Sequence, residues 1–281
     1  MNSIREKVKE LSVVFVGPTR DSSGNLTKIF ENIERIGGLF KSFSCVFVES
    51  DSSDNTLEIL KNYKSGRDNI HILSLGKLED RINSRTCRIA TARNVGIEYC
   101  EQNNILDTHD YYIHMCVDDV NSEKIEEEDF LSCFKYDISS WEGMTANQLN
   151  YYDIWCLRAK GWVENDCWYA IHNRPSYMSY DEAFIMYVGS KFIQIPKNYG
   201  LIEVDAAHGG FGIYKSSFAK GSRYRGSSEA GNAEECDLVN FCSDVKKKGG
   251  RIFINSELMN MNNVNNRHDT TVQSLRSLGK L

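Results

Sequence analysis

Short apolar runs alternate with helical spacing through the first half of the chain. LSVVFVG, Leu11 to Gly17, closes at Gly-Pro and predicts a buried strand. Leu26, Ile29, Phe30, Ile33 and Ile36 then recur at helical spacing, and Gly37-Gly38 ends that helix. CVFVES is the second strand, followed by a helix carrying Leu57, Leu60 and Tyr63, with Asn55 and Glu58 spaced as a capping box. IHILSL, Ile70 to Leu75, is the third strand. A long helix over Arg85 to Cys100 carries Ile89, Ala92, Gly96 and Tyr99 on one stripe. YYIHMCV, Tyr111 to Val117, is a strand that stops at Asp118-Asp119. Strands joined by helices of this length imply right-handed crossovers and a mostly parallel sheet.

The second half is less regular. Its strand candidates are YDISSWEGM (136 to 144), FIQIP (192 to 196), GGFGIYK (209 to 215) and RIFIN (251 to 255), with a helix over Glu235 to Lys247. The pattern predicts one α/β domain over residues 1 to 281: a nucleotide-binding half to Asn121 and an acceptor-side half from 122. A net charge of -6 argues against a nucleic-acid partner held by a broad basic surface. No apolar run approaches the roughly 18 residues of a membrane span, and MNSIREKVKE is no signal peptide. Nine scattered cysteines without a CxxC pair fit a reducing compartment better than a disulfide framework.

Polar clusters sit where these strands end, and in parallel sheets ligands bind beyond the carboxyl ends. VFVESDSSDNT places Glu49, Asp51 and Asp54 among serines, as a polyhydroxyl-binding rim or a solvated turn and helix cap. VDDVN offers Asp118, Asp119 and Asn121 as hard oxygen ligands for Mg²⁺ or Mn²⁺, against a polar turn as the plain alternative. Arg81, Arg85, Arg88 and Arg93 crowd one stretch of an acidic protein and suggest anion contact, although Arg93 points away from Arg85 and Arg88. HGGFGIY, His208 to Tyr214, puts three glycines before an apolar strand, as close ligand approach or a bulge. Glu234 and Glu235 precede an amphipathic helix, as caps or a general base. His268 is either a late metal ligand or a lone surface histidine.

The order of these motifs resembles GT-A glycosyltransferases, and more closely the capsule-associated α-1,3-mannosyltransferase family known from Cryptococcus and other fungi. ESDSSDNT (49 to 56), RIATARN (88 to 94), DDVN (118 to 121), YDIWCLR (152 to 158), HGGFGIY (208 to 214), EEC (234 to 236) and RIFIN (251 to 255) carry the resemblance. It runs from about Val13 to Asn260. It implies a GT-A type, Rossmann-like, mostly parallel sheet flanked by helices, with a mixed acceptor-side lobe.

The same resemblance implies roles. Thr19, Glu49 and Asp51 would hold the nucleoside end of a sugar nucleotide, and Arg88, Arg93 and Asn94 its phosphates or donor sugar. Asp118 and Asp119 would engage Mn²⁺ or Mg²⁺ with Asn121 and His268 as further ligands, and Asp119 would thereby serve catalysis. Asp153, Trp155, Arg158, His208, Gly209, Gly210 and Phe211 would line the donor-sugar or acceptor pocket, and Glu235 would face the reacting centre. The implied activity is metal-dependent, retaining transfer of a hexose from a nucleotide diphosphate sugar to a glycan hydroxyl, with GDP-mannose favoured over a UDP-hexose. The family's NDV reads DDV here, leaving open which carboxylate meets the metal. Ala207-His208 also replaces the aromatic or Cys-Trp that usually precedes its paired glycines. The missing anchor predicts a soluble cytoplasmic enzyme of bacterial or viral type, in host cytoplasm if viral. A catalytically silent carbohydrate- or nucleotide-sugar-binding protein is one alternative. A sugar nucleotidyltransferase is another, which GPTRDSSGN fits poorly as a phosphate loop.

Overall fold

Runs such as Val13-Val14-Phe15-Val16 are apolar on both faces and need cover on both sides, which a sheet between helical layers provides. The computed structural model describes residues 2–228 and 233–261. In chain order its first half contains α1 (Asn2–Val8), β1 (Ser12–Thr19), α2 (Leu26–Gly37), β2 (Ser42–Glu49) and α3 (Thr56–Lys64). It continues through β3 (Ile70–Ser74), α4 (Arg85–Gln102), α5 (Ile105–Thr108) and β4 (Tyr111–Met115). Then come α6 (Glu127–Leu131), β5 (Gly143–Gln148), α7 (Cys167–His172), α8 (Tyr180–Tyr187) and β6 (Leu201–Val204). Strand β7 (Phe211–Lys215), α9 (Ser216–Ala219), α10 (Asp237–Lys247) and β8 (Ile252–Met261) complete the described chain.

One eight-stranded sheet runs in the order β3-β2-β1-β4-β7-β5-β8-β6. Strands β3, β2, β1 and β4 pair in parallel. Strand β7 is antiparallel to both β4 and β5, so β5 runs the same way as β4, and β8 follows β5. The carboxyl ends of β1, β2, β3, β4, β5 and β8 therefore open on one edge, together with the amino end of β7. The strand order reverses between β1 and β4, where a mostly parallel sheet forms its binding crevice.

Alternate residues of each strand enter opposite cores. Val14, Val16, Val46, Val48 and Tyr112 meet Ala90 and Ile97 of α4 and Phe241 of α10. Val13, Phe15, Phe47, Ile113 and Phe211 meet Ile29 and Ile33 of α2 and Phe130 of α6. Gly96 lets α4 lie close to the sheet, since a Cβ there would stand 2.7 Å from Val16 Cγ1.

Three expectations are corrected. The α3 cap is Asp54 rather than the Asn55–Glu58 box: its Oδ1 accepts from Thr56 N at 3.0 Å, and Asn55 makes no side-chain cap bond. FIQIP forms only a bridge from Ile193 to Tyr151, and the neighbouring LIEV supplies β6 instead. Within 136 to 144, residues Ile138–Ser140 form a tight turn capped by Asp137, and β5 begins at Gly143. Strand β5 continues through the polar Thr145, Asn147 and Gln148, all fully buried. Strand β8 likewise outruns RIFIN by reaching Met261.

Candidate active site

At the strand-order reversal Thr19, the last residue of β1, is buried and its Oγ1 donates to the Val117 carbonyl beyond β4 (3.0 Å). This bond seams the two strand ends. The loops after β1 and β2 are stitched together beside it. Asp21 accepts from the backbone N–H of Ser53 (2.7 Å), and Ser22 N–H donates to Thr56 Oγ1 (2.7 Å). Glu49 is buried, accepting from Ser52 N–H at 3.1 Å and from the Ser74 hydroxyl at 2.7 Å. Asp51 takes a left-handed backbone, φ 59°, where its Oδ1 accepts from Glu79 N–H at 3.0 Å. Its carboxyl stays below the usual range, as these hydrogen bonds outweigh the opposing effect of burial. Hydrogen bonds from Thr56 and Ser23 hold Asp54 at about 2, again against desolvation. Glu49 and Asp51 thus spend these oxygens on the loops beyond β2 and β3, and Asp54 fastens those loops to α3.

Asp118 and Asp119 follow β4, both half-buried. Asp118 Oδ1 accepts from Val120 N–H (3.2 Å) and caps a tight turn over Asp119–Asn121. Two adjacent carboxylates suit a hard cation that draws its remaining oxygens from phosphate and water, so these residues fit Mg²⁺ or Mn²⁺ in company with a diphosphate. Among the described residues no group of three or more His, Cys, Asp and Glu side chains could hold a metal alone. Asn121 has a different task from the one expected. Fully buried, its Nδ2 donates to the carbonyls of Cys116 and Gly210 at 2.8 Å, and its Oδ1 accepts from Asn260 at 2.9 Å. Gln148 and Asn260 both donate to the Gly209 carbonyl, at 2.9 and 2.8 Å. This amide network fixes the Asp118–Asp119 turn against the glycine turn and leaves Asn121 a positioning residue. His268 lies outside the described residues.

Below the crevice lies a buried polar cluster. Arg93 Nη1 donates to both Asp237 oxygens at 2.7 and 2.6 Å, and both side chains are buried. His208 stacks on His114 with centroids 4.6 Å apart, and its Nε2 lies 3.5 Å from Cys116 Sγ. Burial, reinforced by Arg93, pushes both imidazoles well below their ordinary value, so both are neutral. Burial also lifts the Cys116 thiol to about 12. Asp153 Oδ2 accepts from Gly209 N–H (3.0 Å), and desolvation raises its carboxyl. The expectations for Arg93, His208 and Phe211 change accordingly. Arg93 is committed to Asp237, His208 to the cluster, and Phe211 to the opposite core beside Phe130. Gly209 and Gly210 have φ of 62° and 84°, and what approaches their backbone is Gln148 and Val120.

The remaining candidates border α4. Arg88 donates to the carbonyls of Ile82 and Asn83 (2.8 and 2.7 Å) and so secures the loop before its own helix. Asn94 exchanges hydrogen bonds with the Tyr224 backbone (2.8 and 2.9 Å). Arg158 and Trp155 both donate to Asp166 Oδ2, at 3.0 and 2.9 Å, which orients the indole. Glu235, half-buried ahead of α10, accepts from Asn240 at 3.4 Å. Glu234 accepts from Ser84 at 2.6 Å. Sequence reading passed over Asp237 and His114. An imidazole inside the apolar strand YYIHMCV and an acid opening an apolar helix stripe were the available signals.

No protein-family model and no curated protein matches this sequence. Solved structures do. The mannosyltransferase PcManGT from Pyrobaculum calidifontis, with GDP-Man and Mn²⁺, superposes with a TM-score of 0.52 at 10% identity, over 92% of this chain and 58% of that one. Residues 1–349 of S. aureus TarS with UDP-GlcNAc give 0.50 at 13% identity, over 95% and 65%. A longer S. aureus TarS structure gives 0.50 at 13%, over 87% and 35%. The chain therefore spans less than two thirds of each of these neighbours. Together with the sheet order, the likeness shows that this chain has the α/β fold of the GT-A glycosyltransferases.

Proposed function

We propose that the chain is a metal-dependent glycosyltransferase moving a hexose, mannose foremost, from a nucleotide diphosphate sugar to a glycan hydroxyl. The observation that carries this reading is the placement of Asp118 and Asp119 at the carboxyl end of β4, at the strand-order reversal and against the Thr19 seam. The motif resemblance to the capsule-associated mannosyltransferases favours mannose; among the structural neighbours one carries GDP-Man and another UDP-GlcNAc. Glu49 and Asp51 would order the loops that receive the nucleoside, and Asp118 and Asp119 would hold Mn²⁺ or Mg²⁺. When bound, the cation offsets charge on the leaving diphosphate as a Lewis acid and template. Arg88 and Arg93 are engaged internally, so they act by holding the α4 loop and Asp237. Glu235 is the base for the acceptor hydroxyl if configuration inverts. Under retention, which the resemblance implies, no such base is required. The rim at Trp155 faces the sugars, and Asp153 beneath it holds the Gly209 backbone. No helix among the described residues is long and apolar enough to cross a membrane, and we place the enzyme where nucleotide sugars are made.

A binding-only protein is the second reading, favoured by that internal commitment of the arginines. Thermal shifts with GDP, UDP and CMP, each with and without Mn²⁺, test the donor site. A ligand at a hundredfold excess over Kd adds ~2.7 kcal/mol, a rise of several degrees for a chain of this length. GDP or UDP should give that rise only with Mn²⁺, and Asp118→Asn or Asp119→Asn should abolish it. No shift with any nucleotide sinks the transferase reading. Binding without release of sugar from GDP-mannose or a UDP-hexose, even to water, selects the binding-only protein.

A further inference from the structure

A cleft of about 770 Å³ is lined by Arg85, Trp155, Trp168, Tyr169, His172 and Glu234 among others. Its size lies within the ~300–1,000 Å³ of small-molecule sites. Three aromatic side chains line it, and Tyr169 is 62% exposed, a large apolar surface left in water. The two indoles are held in place, and the Tyr169 backbone is fixed at the start of α7. Asp166 Oδ2 accepts from Trp155 Nε1 (2.9 Å), while Asp166 Oδ1 accepts from Tyr169 N–H (2.9 Å) and caps α7. One carboxylate thus orients the Trp155 indole and the helix that carries Trp168 and Tyr169. Trp168 also packs on Phe184 of α8, with centroids 6.1 Å apart.

The rim of the cleft carries both hydrogen-bond signs. Arg85, exposed at the first turn of α4, supplies donors, and Glu234 supplies acceptor oxygens beside its bond from Ser84. Held aromatic faces with a mixed polar rim match a pyranose, whose C–H face meets the electron-rich ring while its hydroxyls reach outward. An acyl chain would leave the rim unsatisfied. The cleft is linked along the chain to the candidate site: Glu234 precedes Glu235, and Trp155 lies two residues beyond Asp153, which binds the Gly209 backbone.

The geometry points to this cleft as the acceptor site, taking an oligosaccharide whose rings stack on Trp168 and Tyr169 and whose hydroxyls bridge Arg85 and Glu234. As an acceptor assignment it rests on the glycosyl-transfer reading; as a saccharide site it stands on the cleft alone. The test is titration of the full chain with mannotriose, cellotriose and chitotriose, followed by tryptophan fluorescence. At least one should perturb the indoles saturably. Tyr169→Ala should weaken that binding about tenfold, equivalent to ~1.4 kcal/mol, and Tyr169→Phe should keep it, since stacking uses the ring and not the hydroxyl. The nucleotide-induced thermal shift should be unchanged in both variants, which also reports that they are folded. Absence of binding by all three saccharides, or binding indifferent to Tyr169→Ala, overturns the assignment. Saccharide binding without any nucleotide shift would remove the transferase reading and leave the cleft a saccharide site.

Discussion

Burying the Arg93 guanidinium against the Asp237 carboxylate strips both groups of water, and their mutual bonds offset that cost only while both are present. Arg93→Met should therefore cost ~3–5 kcal/mol by leaving a buried carboxylate unpaired. The double variant Arg93→Met with Asp237→Leu should recover a large part of that loss in urea denaturation. Additive losses would mean that the two side chains act separately. The stacked imidazoles give a second prediction. Their folded pKa values lie well below the ordinary 6.5, so below that pH the unfolded chain binds more protons than the folded one. Stability then falls with acid, by ~1.4 kcal/mol per pH unit for each histidine. The urea midpoint should drop between pH 7.5 and 5.5, and His208→Gln should remove part of the slope. A profile equally steep in that variant would show that His208 does not contribute to it.

Among the elements, the turn entering β7 is tightly constrained. Gly210 has φ 84°, and a Cβ there would lie 2.3 Å from Val120 Cγ1, in the turn that carries Asp118 and Asp119. Gly210→Ala should cost at least ~1–3 kcal/mol in backbone strain alone. By displacing Val120 it should also weaken the Mn²⁺-dependent nucleotide shift, and an unchanged shift would uncouple the two turns. Such pairings explain what could be read beforehand. Strands β2 to β4 were legible because their apolar runs end at serine or acids, and β1 was legible too, although it runs past the expected Gly17-Pro18 stop to Thr19. The later parts of β5 and β8 were not, because Asn147, Gln148, Asn255 and Asn260 read as loop and yet are buried and hydrogen-bonded across strands. The acid clusters were legible as strand ends. The inward commitment of Arg93, Asn121 and His208 was not, since their partners Asp237, Asn260 and His114 lie far away in sequence. Trp168 and Tyr169 were passed over because CWYAI reads as an ordinary amphipathic turn.

At the scale of the whole molecule, the half after residue 121 does not merely abut the half before it. Strand β7 lies between β4 and β5, so the sheet is continuous across residue 121, and α10 packs with α4 on one face. Arg93–Asp237 and Asn121–Asn260 cross the same boundary inside the core. Opening one half would expose the β4 edge, orphan a buried charge and break the amide network, so we expect a single cooperative unit. The chain carries its own reporter for this: all four tryptophans (Trp141, Trp155, Trp162 and Trp168) lie beyond residue 121. Tryptophan fluorescence therefore follows the half after residue 121, whereas far-ultraviolet circular dichroism follows both. Urea curves from the two probes should coincide, as two-state unfolding requires. If the proposed donor site in the tryptophan-free half binds a nucleotide with Mn²⁺, that ligand should raise the fluorescence midpoint as much as the dichroism midpoint. A fluorescence transition that precedes the other, or that ignores the nucleotide, would divide the chain into two separately folding halves.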